Sequence, residues 1–223
     1  MTPRAMGFFF TPLDLILTSS SKLRLLRALH GTRSPMSGRE AASAAGVAVQ
    51  PAQRALADLV TVGVVRRDDT RSQHLYTLNR DNVLVQGALG QLFRAESERV
   101  AEVFRDLADA VGGKAGKAVE GLYLFGSAAR GKDRVGSDFD VVAVVSTPRD
   151  VDAVHETLAQ SADQLYTRYG LRLSVLVLDL AKLRTMHRDG DALVTELLRD
   201  NRRITGKRLE ALLDGLTRKQ KGS

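Results

Sequence analysis

Apolar residues recur at spacings of three and four from about Ser20 to His30, where Leu23, Leu26 and Leu29 share a face and Lys22, Arg24 and Arg27 lie off it. That spacing predicts an amphipathic helix. Ser37, with Glu40 three residues on, forms a capping box that starts a second helix. Its alanines (Ala41, Ala42, Ala44, Ala45) allow close packing, and Gly46 stops it. A third helix has Pro51 in its first turn, turns Leu56, Leu59 and Val60 inward, and ends at Gly63. The pattern then changes. Val64 to Arg67 and His74 to Leu78 read as short strands joined by the polar turn 68–73. Helical spacing returns from about Asp81 to Val111, through Val85, Leu89, Leu92, Phe93, Val100, Val103, Phe104 and Leu107, and stops at Gly112-Gly113.

Beyond that point the apolar runs shorten. Leu122 to Phe125 and Val141 to Val145 have the look of buried strands. Val151, Val154, Leu158 and Leu165 mark a helix, and Leu171 to Leu178 a strand. Leu193, Leu197 and Leu198 mark a helix before Ile204-Thr205-Gly206, and Leu209, Leu212, Leu213 and Leu216 a terminal one. The expected fold is a two-domain α+β or α/β chain: residues 1–80, a connecting helix over 81–113, and a sheet domain with flanking helices over 114–223. Helix, helix, tight turn, helix, hairpin is the order of a winged helix-turn-helix. The stretch from Arg39 to Arg67, REAASAAGVAVQPAQRALADLVTVGVVRR, resembles the helix-turn-helix core of MarR-like and ArsR-like winged-helix modules.

Charge sharpens this. Of 33 Lys plus Arg and 26 Asp plus Glu, residues 1–85 hold 11 basic and 6 acidic, so the basic excess is concentrated in the first third. A basic module beside a nearly neutral one points to a polyanion reader attached to something else, although a solvated face would carry the same charges. In the winged-helix arrangement the third helix reads the major groove of double-stranded DNA with its N-terminal residues, here Gln50, Gln53 and Arg54. Gln suits adenine and Arg suits guanine. Arg66, Arg67 and Arg71 would lie on the wing, and Arg33 and Arg39 could add backbone contacts. The same fold also serves as a protein-protein module. The apolar stripe of the long helix has two possible partners: the next domain, which is the default, or a second copy, which would give a homodimer able to read a palindrome.

There is no cysteine, which removes disulfides, Cys-ligated zinc and a cysteine nucleophile. No apolar run approaches the ~20 residues that span a bilayer, and Phe8-Phe9-Phe10 is too short for a secretory signal. The expectation is a cytoplasmic protein with no membrane partner. The four histidines lie far apart without metal-ligand spacing, and Ser127 has no His/Asp pair nearby in sequence.

The segment that carries chemistry is Leu122 to Val145, LYLFGSAARGKDRVGSDFDVVAVV. Gly126 lets the backbone turn sharply and approach a ligand. Ser127 opens a helical turn whose free N–H groups suit a phosphate. Asp138 and Asp140 are two apart on an extended segment, so their carboxylates share a face, roughly 6–7 Å apart at the backbone, while Phe139 points the other way. Two like charges so placed resist joint ionisation unless a cation lies between them. A hard ion such as Mg²⁺, shared with substrate phosphates, fits that pair and serves phosphoryl or nucleotidyl transfer.

Gly126-Ser127, Arg130-Gly131 and Ser137-Asp138-Phe139-Asp140 before a strand resemble the signature of the DNA polymerase beta-like nucleotidyltransferases. The likeness is to their minimal branch, which includes partners of HEPN proteins in toxin–antitoxin systems, and it spans roughly residues 118–216. The resemblance implies that Gly126 and Ser127 hold nucleotide phosphates, and that Asp138 and Asp140 bind Mg²⁺ and carry catalysis. Arg130 and Ser137 are nucleotide-binding candidates, with ATP as the expected NTP donor and a HEPN-like protein as a possible partner. There is a departure. The family's third carboxylate sits on the later strand, where Ser174 stands here, and Asp179, the only nearby acid, falls at the strand end on the opposite face. The chain therefore reads either as an Mg²⁺-dependent nucleotidyltransferase targeted by a DNA-binding winged helix, or as a catalytically impaired regulator or toxin–antitoxin component that only binds nucleotide or a partner.

Overall fold

In the first unit, Met1–Ser97, α1 (Pro12–Ile16) precedes the three helices in which the predicted periodicity is realised, α2 (Ser20–His30), α3 (Gly38–Ala45) and α4 (Val49–Thr61). Strands β1 (Met36–Ser37), β2 (Val65–Asp69) and β3 (His74–Leu78) form a small antiparallel sheet in the order β1-β3-β2. The structure, a computed structural model, describes residues 8–113 and 117–214; Leu216, read above as part of a terminal helix, lies outside them. Helices this short are marginal alone, so packing must hold them. Leu25, Leu26 and Leu29 of α2 meet Ala41 and Ala42 of α3 and Leu56 and Leu59 of α4 in one core, each fully buried leucine contributing roughly 1.5–3 kcal/mol. The capping box forms in both directions: Ser37 N donates to Glu40 Oε2 at 2.7 Å and Glu40 N to Ser37 Oγ at 3.3 Å. Lys22 is buried, and its ammonium reaches Asp58 Oδ2 at 2.9 Å and the Leu15 carbonyl at 2.9 Å, tying α1, α2 and α4 together.

Lys22, which the sequence places off the apolar face, is instead buried, and three further details differ from the sequence reading. Strand β2 runs on through Asp69, because Asp68 pairs with Leu75 and Asp69 with His74. The turn is therefore 70–73, closed by Thr70 N donating to the Gln73 carbonyl at 2.9 Å. Helix α1 and strand β1 gave no sequence signal: five and two residues are too few to show a period. The long helix expected over 81–111 is interrupted by a π-helical turn at Val85–Leu89, after which α5 runs over Gly90–Ala110. Gly90 allows that wide turn, since a Cβ there would lie 2.8 Å from the Val85 carbonyl oxygen.

The second unit, Glu98–Ser223, is built on a four-stranded sheet of β4 (Val119–Leu124), β5 (Asp138–Val145), β6 (Arg172–Asp179) and β7 (Arg202–Gly206), in the order β6-β5-β4-β7. Strands β5 and β6 are parallel; β4 is antiparallel to both β5 and β7. Because side chains alternate along a strand, each run feeds two cores. Leu122, Leu124, Phe139, Val141 and Ala143 pack with the end of α5 (Val103, Leu107) and with α7 (Val151–Gln160) and α8 (Ala162–Tyr169). Tyr123, Val142, Val144 and Leu178 pack on the other face with α9 (Leu180–Arg188), α10 (Ala192–Asp200) and α11 (Leu209–Leu213). The single helix expected over 151–165 is broken at Ser161. Helix α9 and strand β7 were not anticipated. The second face is the one that carries the chemistry.

Candidate functional site

Strand β4 ends at Leu124, and the chain turns through Phe125 into the single turn α6 (Gly126–Ala129). Phe125 N donates to the Asp140 carbonyl at 3.0 Å, which fixes this turn against the start of β5. Gly126 has φ +70°, and a Cβ on it would lie 2.7 Å from Asp140 Oδ2. The left-handed backbone favours glycine here, and any Cβ would also have to displace the carboxylate oxygen beside it. The turn is extended by Lys132 N donating to the Ser127 carbonyl at 2.9 Å. Arg202 Nε donates to the Ala129 carbonyl at 2.8 Å, clamping the turn to β7.

Asp138 and Asp140 both lie in β5, two residues apart, with Phe139 buried on the opposite face. Asp138 is exposed and Asp140 half-buried. Burial pushes the Asp140 carboxyl above its ordinary range; the charges of Asp138 and Glu196 push the same way, and a hydrogen bond from Ser174 opposes them. Ser174 is the register partner of Asp140 on β6, so the position at which the resemblance implies a carboxylate is directly beside Asp140. Asp179 pairs with Val145, five residues further along, about 16 Å away at the strand rise. Its carboxylate is also occupied, accepting from Ala181 N at 2.9 Å and Lys182 N at 3.0 Å as the N-cap of α9. Asp179 is thus remote from Asp138 and Asp140 and engaged elsewhere.

Arg130, expected to face nucleotide phosphate, is held by two carboxylates of α10. Its Nη1 hydrogen-bonds Glu196 Oε1 and lies 3.6 Å from Asp200 Oδ2. Asp200 is shared with Arg199 at 2.8 Å. Ser137 is engaged locally: its hydroxyl accepts from Arg134 N at 2.9 Å, and its own N–H donates to the Arg134 carbonyl at 2.9 Å. Glu196, Asp200 and Arg202 were missed by sequence reading. They lie more than fifty residues from the motif, and only the packing of α10 and β7 brings them to it.

Two carboxylates with a neighbouring hydroxyl are hard oxygen donors. Among the described residues no group of three or more His, Cys, Asp or Glu is placed to hold a metal. The residues present therefore fit a divalent ion such as Mg²⁺ only when substrate phosphates supply further ligands.

In the first unit, Gln50, Gln53 and Arg54 are exposed along the start of α4, at one-turn spacing. Their side chains form no hydrogen bond or ion pair among the described residues. Two of the three arginines expected on the hairpin are already paired: Arg66 with Asp81 at 2.6 Å and Arg67 with Asp69 at 3.0 Å. Asp69 also meets His74 Nδ1 at 2.7 Å. Arg71 is exposed in the turn. Among the described residues no helix is long and apolar enough to cross a membrane.

No curated protein matches this chain. Among solved structures, one described as "Crystal structure of the toxin-antitoxin with AMP-PNP" is similar at 17% identity and a TM-score of 0.29, covering 43% of this chain and 69% of that one. Another, "PigF with SAH", is similar at 18% identity and a TM-score of 0.26, covering 77% of this chain and 59% of that one. Residues 104–193, which carry β4, the Gly126 turn, the Asp138–Asp140 pair and β6, match the family model described as "Nucleotidyltransferase domain".

Proposed function

We propose that the second unit is an Mg²⁺-dependent nucleotidyltransferase that moves an NMP group from an NTP, ATP foremost, onto a hydroxyl of a protein, RNA or small molecule. The observation that carries this reading is the Asp140 carboxylate lying against the Gly126 turn, with Asp138 on the same face of β5. Gly126 and Ser127 would cradle the phosphates, while Asp138 and Asp140 would hold the metal. When bound, Mg²⁺ neutralises phosphate charge and stabilises the leaving oxygen. The acceptor hydroxyl oxygen bonds to the α-phosphorus as the bond to pyrophosphate breaks, and the hydroxyl proton leaves to a base. Ser174 offers no carboxylate for that role, so solvent or an acceptor-side group takes it.

The first unit is proposed to be a winged helix-turn-helix that reads double-stranded DNA through Gln50, Gln53 and Arg54, with Arg71 and the paired Arg66 and Arg67 along the hairpin. Its support is the order of α2, α3 and α4 followed by the β2–β3 hairpin, and the exposed polar start of α4. In this division residues 1–80 read DNA, 81–113 connect, and 114–223 transfer.

A second reading is favoured by Ser174 beside Asp140 and by Asp179 being spent as a helix cap. It takes the chain as a regulator or toxin–antitoxin component that binds nucleotide, or a HEPN-like partner, without turnover, as a homodimer on a palindromic operator. The deciding experiment is calorimetric titration of the four NTPs with Mg²⁺ against wild type and the Asp138→Asn/Asp140→Asn double variant. Binding lost in the variant, together with labelled transfer by wild type, supports the first reading. Binding without transfer supports the second, and no binding to a folded wild type overturns both nucleotide roles.

A further inference from the structure

The first unit contains a concave basic pocket of about 380 Å³ between the α2–β1 loop and the start of β2. Three arginines line it, Arg33, Arg66 and Arg80, with Asp81 as the one carboxylate, so the lining carries a net positive formal charge. Arg66 and Thr77 are register partners on the solvent side of the β2–β3 ladder, and Leu29 and Leu78 form a buried apolar floor.

Two of the three guanidiniums are placed before any ligand arrives. Arg80 Nη2 donates to the His30 carbonyl at 3.1 Å and the Thr32 carbonyl at 2.9 Å, which stations it at the mouth of the loop. Its remaining nitrogens form no hydrogen bond among the described residues. Arg66 is steadied by Asp81 at 2.6 Å. Arg33 forms no hydrogen bond or ion pair among the described residues, although it lines the pocket. The Thr32 hydroxyl accepts from Ser34 N at 3.0 Å, which leaves its proton available to a ligand. Arginine forks match the oxygens of a phosphoryl group two at a time, and an apolar floor strengthens such contacts by excluding water. With Arg66 paired to Asp81, Arg33 and Arg80 remain two uncompensated positive charges around one concavity, which is unfavourable until an anion enters it.

We infer that this pocket is a phosphoryl-anion site, separate from the Asp138–Asp140 face and from the exposed start of α4. The phosphoryl group comes either from a DNA backbone or from a free phosphorylated small molecule that regulates the first unit.

The probe is inorganic pyrophosphate, titrated calorimetrically into the full chain carrying Asp138→Asn/Asp140→Asn, without divalent ions and at constant ionic strength. The variant is Arg33→Gln, which removes no contact of the fold. We expect saturable binding that Arg33→Gln weakens about tenfold, as loss of one charge-assisted pair does. A parallel arm measures duplex DNA affinity in phosphate-free buffer. If the pocket takes a backbone phosphate, Arg33→Gln weakens the duplex and pyrophosphate competes with it. If it takes a free anion, duplex affinity is the same in both chains. Absence of saturable pyrophosphate binding, or equal affinity in Arg33→Gln, overturns the site whatever the duplex does, and leaves the transferase and DNA-reading proposals standing.

Discussion

Gly126 and Asp140 are in such close approach that a methyl group on the first would lie 2.7 Å from Oδ2 of the second. The turn after β4 and the acidic start of β5 are thus in direct contact, and any side chain on Gly126 would have to displace the Asp140 carboxylate. Gly126→Ala adds a Cβ where φ is +70° and drives the Asp140 carboxylate off its position. We expect a loss of about 1–3 kcal/mol in stability from the strained backbone alone, and at least a tenfold loss in Mg²⁺–nucleotide affinity. Thermal denaturation and calorimetry check the two separately. Full nucleotide affinity in a folded Gly126→Ala chain would sink the role given to this turn.

Ser174→Asp places a third carboxylate beside Asp140, on the neighbouring parallel strand. Without divalent ions, the new charge repels Asp138 and Asp140, and the melting temperature should fall by roughly 2–4 °C for each kcal/mol of repulsion. With Mg²⁺ the order should reverse, the variant gaining more stability than wild type because it binds the ion more tightly. A melting-temperature series in Mg²⁺ decides it. A Mg²⁺ response equal to that of wild type argues against a metal at this face.

Glu196→Gln releases Arg130 from its strongest partner while leaving Asp200 in place. In the proposed reading, nucleotide phosphates compete with Glu196 for the same guanidinium. The pair is about one-third exposed, so solvent screening keeps the effect modest. NTP affinity should rise about threefold to tenfold, measured by calorimetry with a non-hydrolysable analogue. A fall in affinity would mean that Glu196 positions Arg130 rather than restrains it.

Glu120 joins β4 to the chain beyond β7, with Lys207 Nζ at 2.6 Å and the Ser146 hydroxyl at 2.8 Å. These hydrogen bonds, Lys207 first, hold its carboxyl below the ordinary glutamate range. A carboxyl depressed in the folded state stabilises above its unfolded pKa, and that contribution disappears as pH falls through the folded value. Denaturant unfolding of wild type and Glu120→Gln should differ at pH 7 and converge only as pH falls through the depressed pKa of the folded carboxyl. A difference that persists at low pH would locate its cause in packing rather than charge.

Arg54→Ala tests the DNA reading. A guanidinium that contacts a guanine edge contributes about 1–3 kcal/mol of discrimination. Loss should relax sequence preference as well as affinity in a selection from random duplexes. Arg71→Ala should instead weaken all duplexes alike and reduce the salt slope by about one. Equal, salt-insensitive binding by both variants and wild type would assign this unit to protein contacts.

Much of the local structure was legible because short-range rules govern it. The Ser37–Glu40 box, the Gly46 stop and the alternation that puts Asp138 and Asp140 on one face all involve residues within four positions of each other. Elements too short to show a period, α1 and β1, were not legible, nor was the π-helical turn, which depends on how Gly90 meets the Val85 carbonyl.

What the sequence determined by itself is therefore the helical and strand periods, the acidic pair, the glycine turn and the serine standing where an acid was expected. Tertiary structure decided the rest. It set Ser174 in register with Asp140, occupied Asp179 as a helix cap, and brought Glu196 and Asp200 onto Arg130 from more than sixty residues away. Strand register and helix packing are fixed by burial of whole apolar faces. A polar side chain thus acquires its neighbours from where those faces come to rest, which no local pattern in the chain records.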